Sequence, residues 1–380
     1  MDILHLNYLP SNIVVKEKKI LEMAKAAERK DLPIRFLVLN DSLAHTAGNI
    51  EFRKIGLPQQ PKLKKLFQML FRYTYLNRHL KQETFDLLVL RYPLAMGIGA
   101  LKFYKHYGHK IYTEHHTNEV VELQKISNNK FFGRLVSTWE RVRRRRFLSL
   151  CRGVIGVSSE VTAFEQVYHP NGRSFTFSNG IDVKSVPFTG FAGNEEVLNI
   201  LFLAGRFAPW HALDRLLAGL KQYAGDRRVR LMLVGNLNKI SHIGDWNHQE
   251  NPNVELKMYG QLNEPKLTEI CRFAHVAISS LGIHRVGLEE ASVLKTREYM
   301  ARGIPFIYAY MDSDLKGNEP FAKRVPANDE AIHIQSIVDF YEGYSTNIGL
   351  SQTMRNIAEQ RLDWSVKLEN LIKFLLAERD

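Results

Sequence analysis

The chain has 380 residues, 45% of them apolar and 24% charged, the balance of a globular protein of two or three domains rather than a disordered or fibrous one. The net charge of +12 is uneven: residues 1–190 hold 30 Lys and Arg against 16 Asp and Glu, leaving 22 against 24 for the remainder. The basic half points to an anionic partner such as a membrane surface, a nucleic acid or a phosphorylated substrate. Two cysteines, Cys151 and Cys271, exclude a disulfide framework and a Cys-based zinc site. Asp2 stands where a secretory signal has its basic start, and no run reaches the roughly 18 apolar residues of a membrane span. The expectation is a soluble, cytoplasmic protein that can still sit on a membrane.

Short apolar runs alternate with longer amphipathic stretches, the pattern of α/β units around parallel sheets. The predicted strands of the first half are 3–6, 34–39, 87–90, 110–113, 153–157 and 175–177, with helices at 18–30, 63–81 and 133–148 between them. The second half repeats the plan, with strands at 198–204, 230–234, 254–259, 276–279 and 305–308 and helices at 213–223, 264–273 and 294–302. Residues 182–196, with Pro187, Gly190 and Gly193 and no periodicity, read as the linker. Residues 351–379 read as two helices with a bend at Leu362-Asp363-Trp364-Ser365.

The strongest signal is the run Glu290-Ala291-Ser292-Val293-Leu294-Lys295-Thr296-Arg297-Glu298-Tyr299-Met300-Ala301-Arg302-Gly303. Two glutamates stand eight positions apart, Ser292 is a fair N-cap, and Gly303 is where a helix C-terminus wants positive φ. A ligand lying along this helix would set an anionic group at the positive end of its dipole. A bare Glu pair is otherwise an ordinary solvated helix face.

This run resembles the Glu-(seven residues)-Glu motif of the retaining family 4 glycosyltransferases of GT-B fold. Further segments are similar in the same order: Val157-Ser158-Ser159, Asn179-Gly180-Ile181-Asp182, Phe202-Leu203-Ala204-Gly205-Arg206 with Asp214-Arg215-Leu216-Leu217, and Leu231-Met232-Leu233-Val234-Gly235. The departures are His211 where the family has lysine, and a loop Ala291-Ser292-Val293 without the usual glycines. Asn7-Tyr8-Leu9-Pro10-Ser11-Asn12 likewise lacks the family's first Gly-rich loop. The nearby Lys16, Lys18 and Lys19 read either as a solvated helix start or as phosphate contacts. Leu294-Lys295 with Glu298-Tyr299 is similar to a branch of bacterial surface-polysaccharide transferases.

The resemblance implies two Rossmann-like doubly wound domains facing across a cleft: an acceptor domain over 1–182, a nucleotide-sugar domain over 183–360, and a helix over 361–380 crossing back to the first. It implies a donor site of Gly205, Arg206, His211, Gly235, Lys295 and Glu298. Arg206 and Lys295 would meet the diphosphate, Glu298 the ribose and Glu290 the donor sugar. His115 or His116, in Thr113-Glu114-His115-His116-Thr117 at the carboxyl end of a strand, would face that sugar. Arg91, at another strand end, reads as an acceptor contact or a surface ion-pair partner.

Two basic amphipathic stretches complete the reading. Residues 62–81 carry Leu63, Leu66, Phe67, Leu70 and Tyr73 at helical spacing, and Phe132, Leu135, Val136, Trp139 and Val142 lead into Arg143-Arg144-Arg145-Arg146. Their apolar sides are expected in the core and their charges at an anionic membrane surface. Nucleic acid is disfavoured, because no helix-turn-helix, RNP or zinc signature accompanies the arginines. The expected activity is retaining, metal-independent transfer of a sugar from a nucleotide sugar to a saccharide acceptor, lipid-linked, in cell-surface glycan synthesis. No cofactor is expected beyond the donor itself, and no cluster has metal-ligand spacing. A GT-B nucleotide-sugar epimerase and a non-catalytic membrane-associated pseudo-transferase are the alternatives.

Overall fold

The computed structural model describes residues 1–9, 14–41, 44–126, 130–193, 196–236, 251–347 and 349–377. The chain divides into two compact units, one of residues 1–178 with 364–380 and one of residues 179–363.

The first unit is built on eight strands: β1 (Ile3–Tyr8), β2 (Ile34–Asn40), β3 (His45–Ala47), β4 (Ile50–Lys54), β5 (Leu87–Arg91), β6 (Ile111–His115), β7 (Gly153–Gly156) and β8 (Arg173–Thr176). Their order is β3-β4-β2-β1-β5-β6-β7-β8, parallel throughout except for the β3–β4 hairpin. Runs such as Ile3-Leu4 and Leu87-Leu88-Val89-Leu90 are buried on both faces, as a parallel sheet covered by helices requires. The order reverses direction between β1 and β5, so the carboxyl ends of those strands form the crevice where such sheets take ligands. The hairpin was not anticipated; its signal is Gly48-Asn49, with Gly48 at φ 58° in the turn.

The C-terminal helix Trp364–Leu376 lies against the helix Val14–Arg29 of the same unit. Trp364, Leu368, Leu371 and Leu375 enter one apolar cluster with Ile20, Met23 and Ala27. The Trp364 indole N–H donates to Glu22 (3.2 Å) and Lys30 pairs with Glu369 (3.4 Å).

The second unit holds β9 (Val197–Arg206), β10 (Arg228–Asn236), β11 (Val254–Gly260), β12 (Val276–Ile278), β13 (Glu290–Ala291), β14 (Phe306–Tyr308), β15 (Met311–Asp312) and β16 (Ala322–Arg324). Six form a parallel sheet in the order β11-β10-β9-β12-β14-β16, and β13 pairs separately with β15. Here the reversal lies between β9 and β12. Both units are therefore Rossmann-like, the two-domain plan of the GT-B fold.

Several expectations change. The stretch read as a linker is fastened to the second unit: Val183 N–H donates to Asp363 Oδ2 (3.1 Å), Thr189 and Gly190 N–H to Arg302 C=O (3.0 and 2.9 Å), and Ala192 N–H to Ala274 C=O (2.8 Å). The units change over at Ser178/Asn179 and Asp363/Trp364 rather than at 182/183 and 360/361. The helix expected over 63–81 is two, Pro61–Leu70 and Arg72–Leu80, broken where Phe71 takes φ −105° and ψ 9°. The apolar faces assigned to the core are partly outside it: Leu63, Leu66, Leu135, Trp139 and Val142 are exposed. Among the described residues no helix is long and apolar enough to cross a membrane.

Candidate functional site

In the second unit, the helix Leu294–Arg302 is pinned at the reversal point by side chains of its own motif. Tyr299 is fully buried; its hydroxyl accepts from Leu203 N–H at the end of β9 (3.2 Å) and donates to Ile278 C=O at the end of β12 (2.9 Å). Thr296, Ser279 and Tyr310 form a ring of three buried hydroxyls at 2.5–3.1 Å. The buried Arg297 pairs with Asp312 and Asp314 and donates to Asn179 C=O (3.0 Å). These contacts set the start of the helix beside β9. Its N-cap is Val293, which lends no side-chain bond. Ser292, expected as the cap, instead accepts from Asn179 N–H (2.7 Å), while its carbonyl accepts from the Asn179 amide (2.6 Å). The positive end of the helix thus carries no side-chain cap.

Lys295 lies one residue into that helix. Its Nζ is buried with no hydrogen-bond partner among the described residues and sits 5.2 Å over the Phe202 ring. Burial alone pulls its pKa down to about 7. His211 flanks the same phenylalanine, with ring centroids 6.4 Å apart. Its Nδ1 accepts from Ala208 N–H (2.9 Å), which forces the proton of the neutral ring onto Nε2. Burial and the neighbouring Lys295 hold its pKa at about 3, so His211 offers a neutral N–H where the resembled family has an ammonium. Gly205 and Arg206 end β9 in the open, the arginine exposed. Gly235 serves packing: at φ 137°, a Cβ there would lie 1.6 Å from Ala204 C=O, so only glycine lets β10 close on β9 at this end.

The two glutamates do not act as a pair. Glu290 is buried in β13, while Glu298 lies half-buried on the helix. Glu298 Oε1 accepts from Arg302 Nε (3.1 Å) and Nη2 (2.9 Å), and that buried arginine also reaches Glu264 (2.6 Å). Lys295 and Glu298, three residues apart, share the helix side that the packing residues Thr296, Tyr299 and Met300 leave free.

The first unit gathers a second polar cluster at its own reversal point. Glu114 is fully buried; it accepts from His5 Nε2 (3.0 Å), and His116 Nε2 lies 3.0 Å and Lys19 Nζ 3.9 Å away. Asn7 donates to His5 Nδ1 (2.8 Å), fixing the His5 proton on Nε2. Against the cost of its burial, the contacts with His116 and His5 hold the Glu114 carboxyl well below the usual range. Burial, with Arg91 and Lys19 nearby, keeps His116 neutral with a pKa of about 3. Burial lowers Lys19 to about 8. Lys18 is exposed, and the Lys16 side chain and residues 10–13 lie outside the described residues.

His115 and His116 part company here. The His115 side chain has no exposed surface; Nε2 meets Thr113 Oγ1 (3.0 Å) and Nδ1 meets Glu119 (3.3 Å) and Glu165 (3.6 Å). His115 therefore belongs to the interior, and His116 is the histidine at the strand end. The buried Arg144 pairs with Glu119 and Glu165 (2.9 Å) and stands 3.7 Å from Glu140, which takes Tyr92 O–H (2.7 Å) and Ala95 N–H. His115, Glu119 and Glu165 gather ligand atoms within 4.8 Å of one another, yet their cation is Arg144.

Comparison with known proteins agrees with this architecture. Residues 17–185 match the model of Glycosyltransferase Family 4. No curated protein sequence matches the chain. Among solved structures, the chain is similar to the lipopolysaccharide outer core galactosyltransferase WaaB in its apo form, with TM-score 0.65 at 13% identity over 98% of this chain and 99% of that one. It is similar to a glycosyltransferase from Rickettsia africae ESF-5, with TM-score 0.63 at 13% identity over 98% of both chains. It is also similar to Anabaena HepE in complex with UDP-glucose, with TM-score 0.60 at 16% identity over 99% of both chains.

Proposed function

We propose, for a chain whose residues 17–185 belong to glycosyltransferase family 4 and whose two Rossmann-like units have the GT-B plan, that it moves a sugar from a nucleotide-sugar donor to a saccharide acceptor with retention of configuration. The observation that carries the donor half is the unpaired, buried ammonium of Lys295 at the uncapped start of a helix. A buried cation without a counter-ion is costly, and a diphosphate at that place would supply the missing charge. As the bond from sugar to diphosphate breaks, negative charge grows on the phosphate. Lys295, Arg206, the His211 Nε2–H and the helix dipole stabilise it there. The protein itself supplies this positive charge, which is our reason for assigning the reaction no metal.

Glu298, on the same helix side as Lys295, holds the ribose, and Glu290 the donor sugar. The leaving phosphate takes the acceptor proton, with His116 facing the sugar. Arg91, at the end of β5 in the first unit, meets the acceptor. That acceptor is lipid-linked, in cell-surface glycan synthesis, and the protein works peripherally on the inner, anionic face of the cytoplasmic membrane. The basic excess of residues 1–190 and the likeness to an outer core galactosyltransferase support this part.

Calorimetry with UDP, GDP, ADP and CMP on the wild type and on Lys295→Met tests the donor site. One nucleoside diphosphate is expected to bind selectively and to weaken by about 10- to 100-fold in the variant, the worth of one charged hydrogen bond. A folded wild type that binds none of the four ends the transferase reading. Conversion of a nucleotide sugar without any acceptor would identify an epimerase instead.

A further inference from the structure

The helix Lys130–Leu148 leaves an apolar ridge facing water. Its inner face carries Ser137, Glu140 and Arg144 along with Phe147 and Leu148, each at most 1% exposed, while Leu135, Trp139 and Val142 stand 55%, 52% and 69% exposed. Those three residues are spaced i, i+4 and i+7, so they make one continuous ridge. Solvent-facing arginines run beside it: Arg134, Arg141, Arg145 and Arg146 are exposed, and the Arg143 guanidinium lies 5.2 Å over the Trp139 ring. Isolated exposed apolar residues are ordinary, but an indole, a leucine and a valine in register on a helix that buries its own ion pairs mark a surface made for a second phase.

We propose that this ridge inserts into the headgroup–acyl boundary of an anionic bilayer, with the arginines on lipid phosphates and Trp139 as the interfacial anchor. The proposal rests on the membrane-facing reading above and deepens it: the attachment is apolar as well as electrostatic. The charge pattern selects this occupant. Four exposed arginines around the ridge repel a second copy of the same face, whereas an anionic leaflet attracts each of them. An indole with a cation stacked on it suits the interface, where one edge is wet and the other apolar. The inner face explains why the ridge stays outside: turning the helix to bury Leu135, Trp139 and Val142 would expel Arg144 from Glu119 and Glu165.

The experiment is co-sedimentation of the full chain with vesicles of phosphatidylcholine alone and of phosphatidylcholine with one-third phosphatidylglycerol. Wild type, Trp139→Glu/Val142→Glu and Arg145→Glu/Arg146→Glu are compared at low salt and at roughly 0.5 M salt, where the Debye length shrinks to a few ångström. Wild type is expected to bind only the anionic vesicles and to keep part of that binding in high salt. The apolar double variant should lose at least about tenfold in affinity at both salt levels, as deletion of buried apolar area demands. The arginine double variant should lose its binding mainly at low salt. Brominated acyl chains should quench wild-type fluorescence and fail to quench Trp139→Phe.

Complete release of wild type by salt, or an apolar double variant that binds like wild type, overturns insertion. A wild-type dimer that the apolar variant dissolves also overturns it, because the ridge is then a contact between copies. Both variants alter exposed positions, so each should keep its unfolding temperature and its nucleotide binding. Loss of the donor reading would show in calorimetry alone and leave vesicle binding untouched.

Discussion

The two units collect buried charge at the same place in their sheets but treat it in opposite ways. Among the described residues of the first unit, the interior charges face opposite or polar partners: Arg144 faces Glu119 and Glu165, and Glu114 faces His5, His116 and, at 3.9 Å, Lys19. In the second unit the packing charges are answered too, Arg297 by Asp312 and Asp314, yet Lys295 is left alone a few ångström from a phenylalanine ring. A self-paired network fixes a shape, whereas an unpaired ammonium is an electrostatic debt that a ligand can discharge. In the proposed function the difference separates scaffold from site, and it carries a sign that mutation can read.

Removing the answered charge should give the largest effect. Arg144→Met leaves Glu119, Glu140 and Glu165 facing one another without a cation, and the first unit should lose about 3–5 kcal/mol, the usual consequence of stripping one partner from a buried pair. Urea unfolding followed by circular dichroism measures it. Burial already raises the Glu165 carboxyl to about 7, and without the arginine the cluster will hold protons more readily still. The loss should therefore be smaller at pH 5 than at pH 8. An equal loss at both would mean that Arg144 stabilises by packing rather than by charge.

Removing the unanswered charge should work in the other direction. Lys295→Met keeps the stem over Phe202 and takes away the stranded ammonium, so the second unit should gain about 1–4 kcal/mol while donor binding falls. The pH dependence follows from a pKa lowered from 10.5 to about 7. Below about 7 the lysine is charged in both states and its burial cost is felt in full. Between about 7 and 10.5 only the unfolded chain holds the proton, so wild-type stability should rise with pH over that window. The variant should lack this slope. Diphosphate binding needs the charged form and should weaken as pH climbs past 7. A Lys295→Met protein less stable than wild type would show that the ammonium has a partner after all.

The sequence made the sheets legible because strands such as Leu87–Arg91 and Val197–Arg206 are apolar without a break, which a parallel strand buried on both faces must be. It also made the Lys295 region legible, since a helix running to a glycine C-terminus before a proline-led strand has few alternatives. What it hid depends on direction rather than pattern. The stretch 130–148 has one apolar and one charged side at the right spacing, and the ordinary assumption puts the apolar side inward. The structure leaves Leu135, Trp139 and Val142 outside, because Arg144 finds Glu119 and Glu165 far away in sequence and no local signal announces that pairing. His115 and His116 are indistinguishable by chemistry; strand alternation sends one into the network and leaves the other at the edge. The spacing of the two glutamates likewise says nothing of their partners in the chain: Arg302, one turn later, donates to Glu298 Oε1.

The smallest effect probes how the unpaired lysine is kept where it is. Ser292 is not the cap that its position suggests; its hydroxyl takes the backbone N–H of Asn179, and its carbonyl takes the Asn179 amide. Together with Arg297 Nε on the Asn179 carbonyl, this ties the turn at 179–182 to the beginning of the helix that carries Lys295. Ser292→Ala removes only one of the three bonds. Stability should fall by about 1 kcal/mol, the net worth of a hydrogen bond whose backbone donor is left without its acceptor. If the turn merely packs against the helix, thermal unfolding will register that loss and nucleotide affinity will not move. If it holds the helix start in register with the end of β9, affinity should fall several-fold as well, because Lys295 must meet a phosphate oxygen within a few tenths of an ångström for the charge to count. Ser292→Thr, which keeps the hydroxyl, should restore both, and that recovery distinguishes the lost bond from a general loosening of the loop.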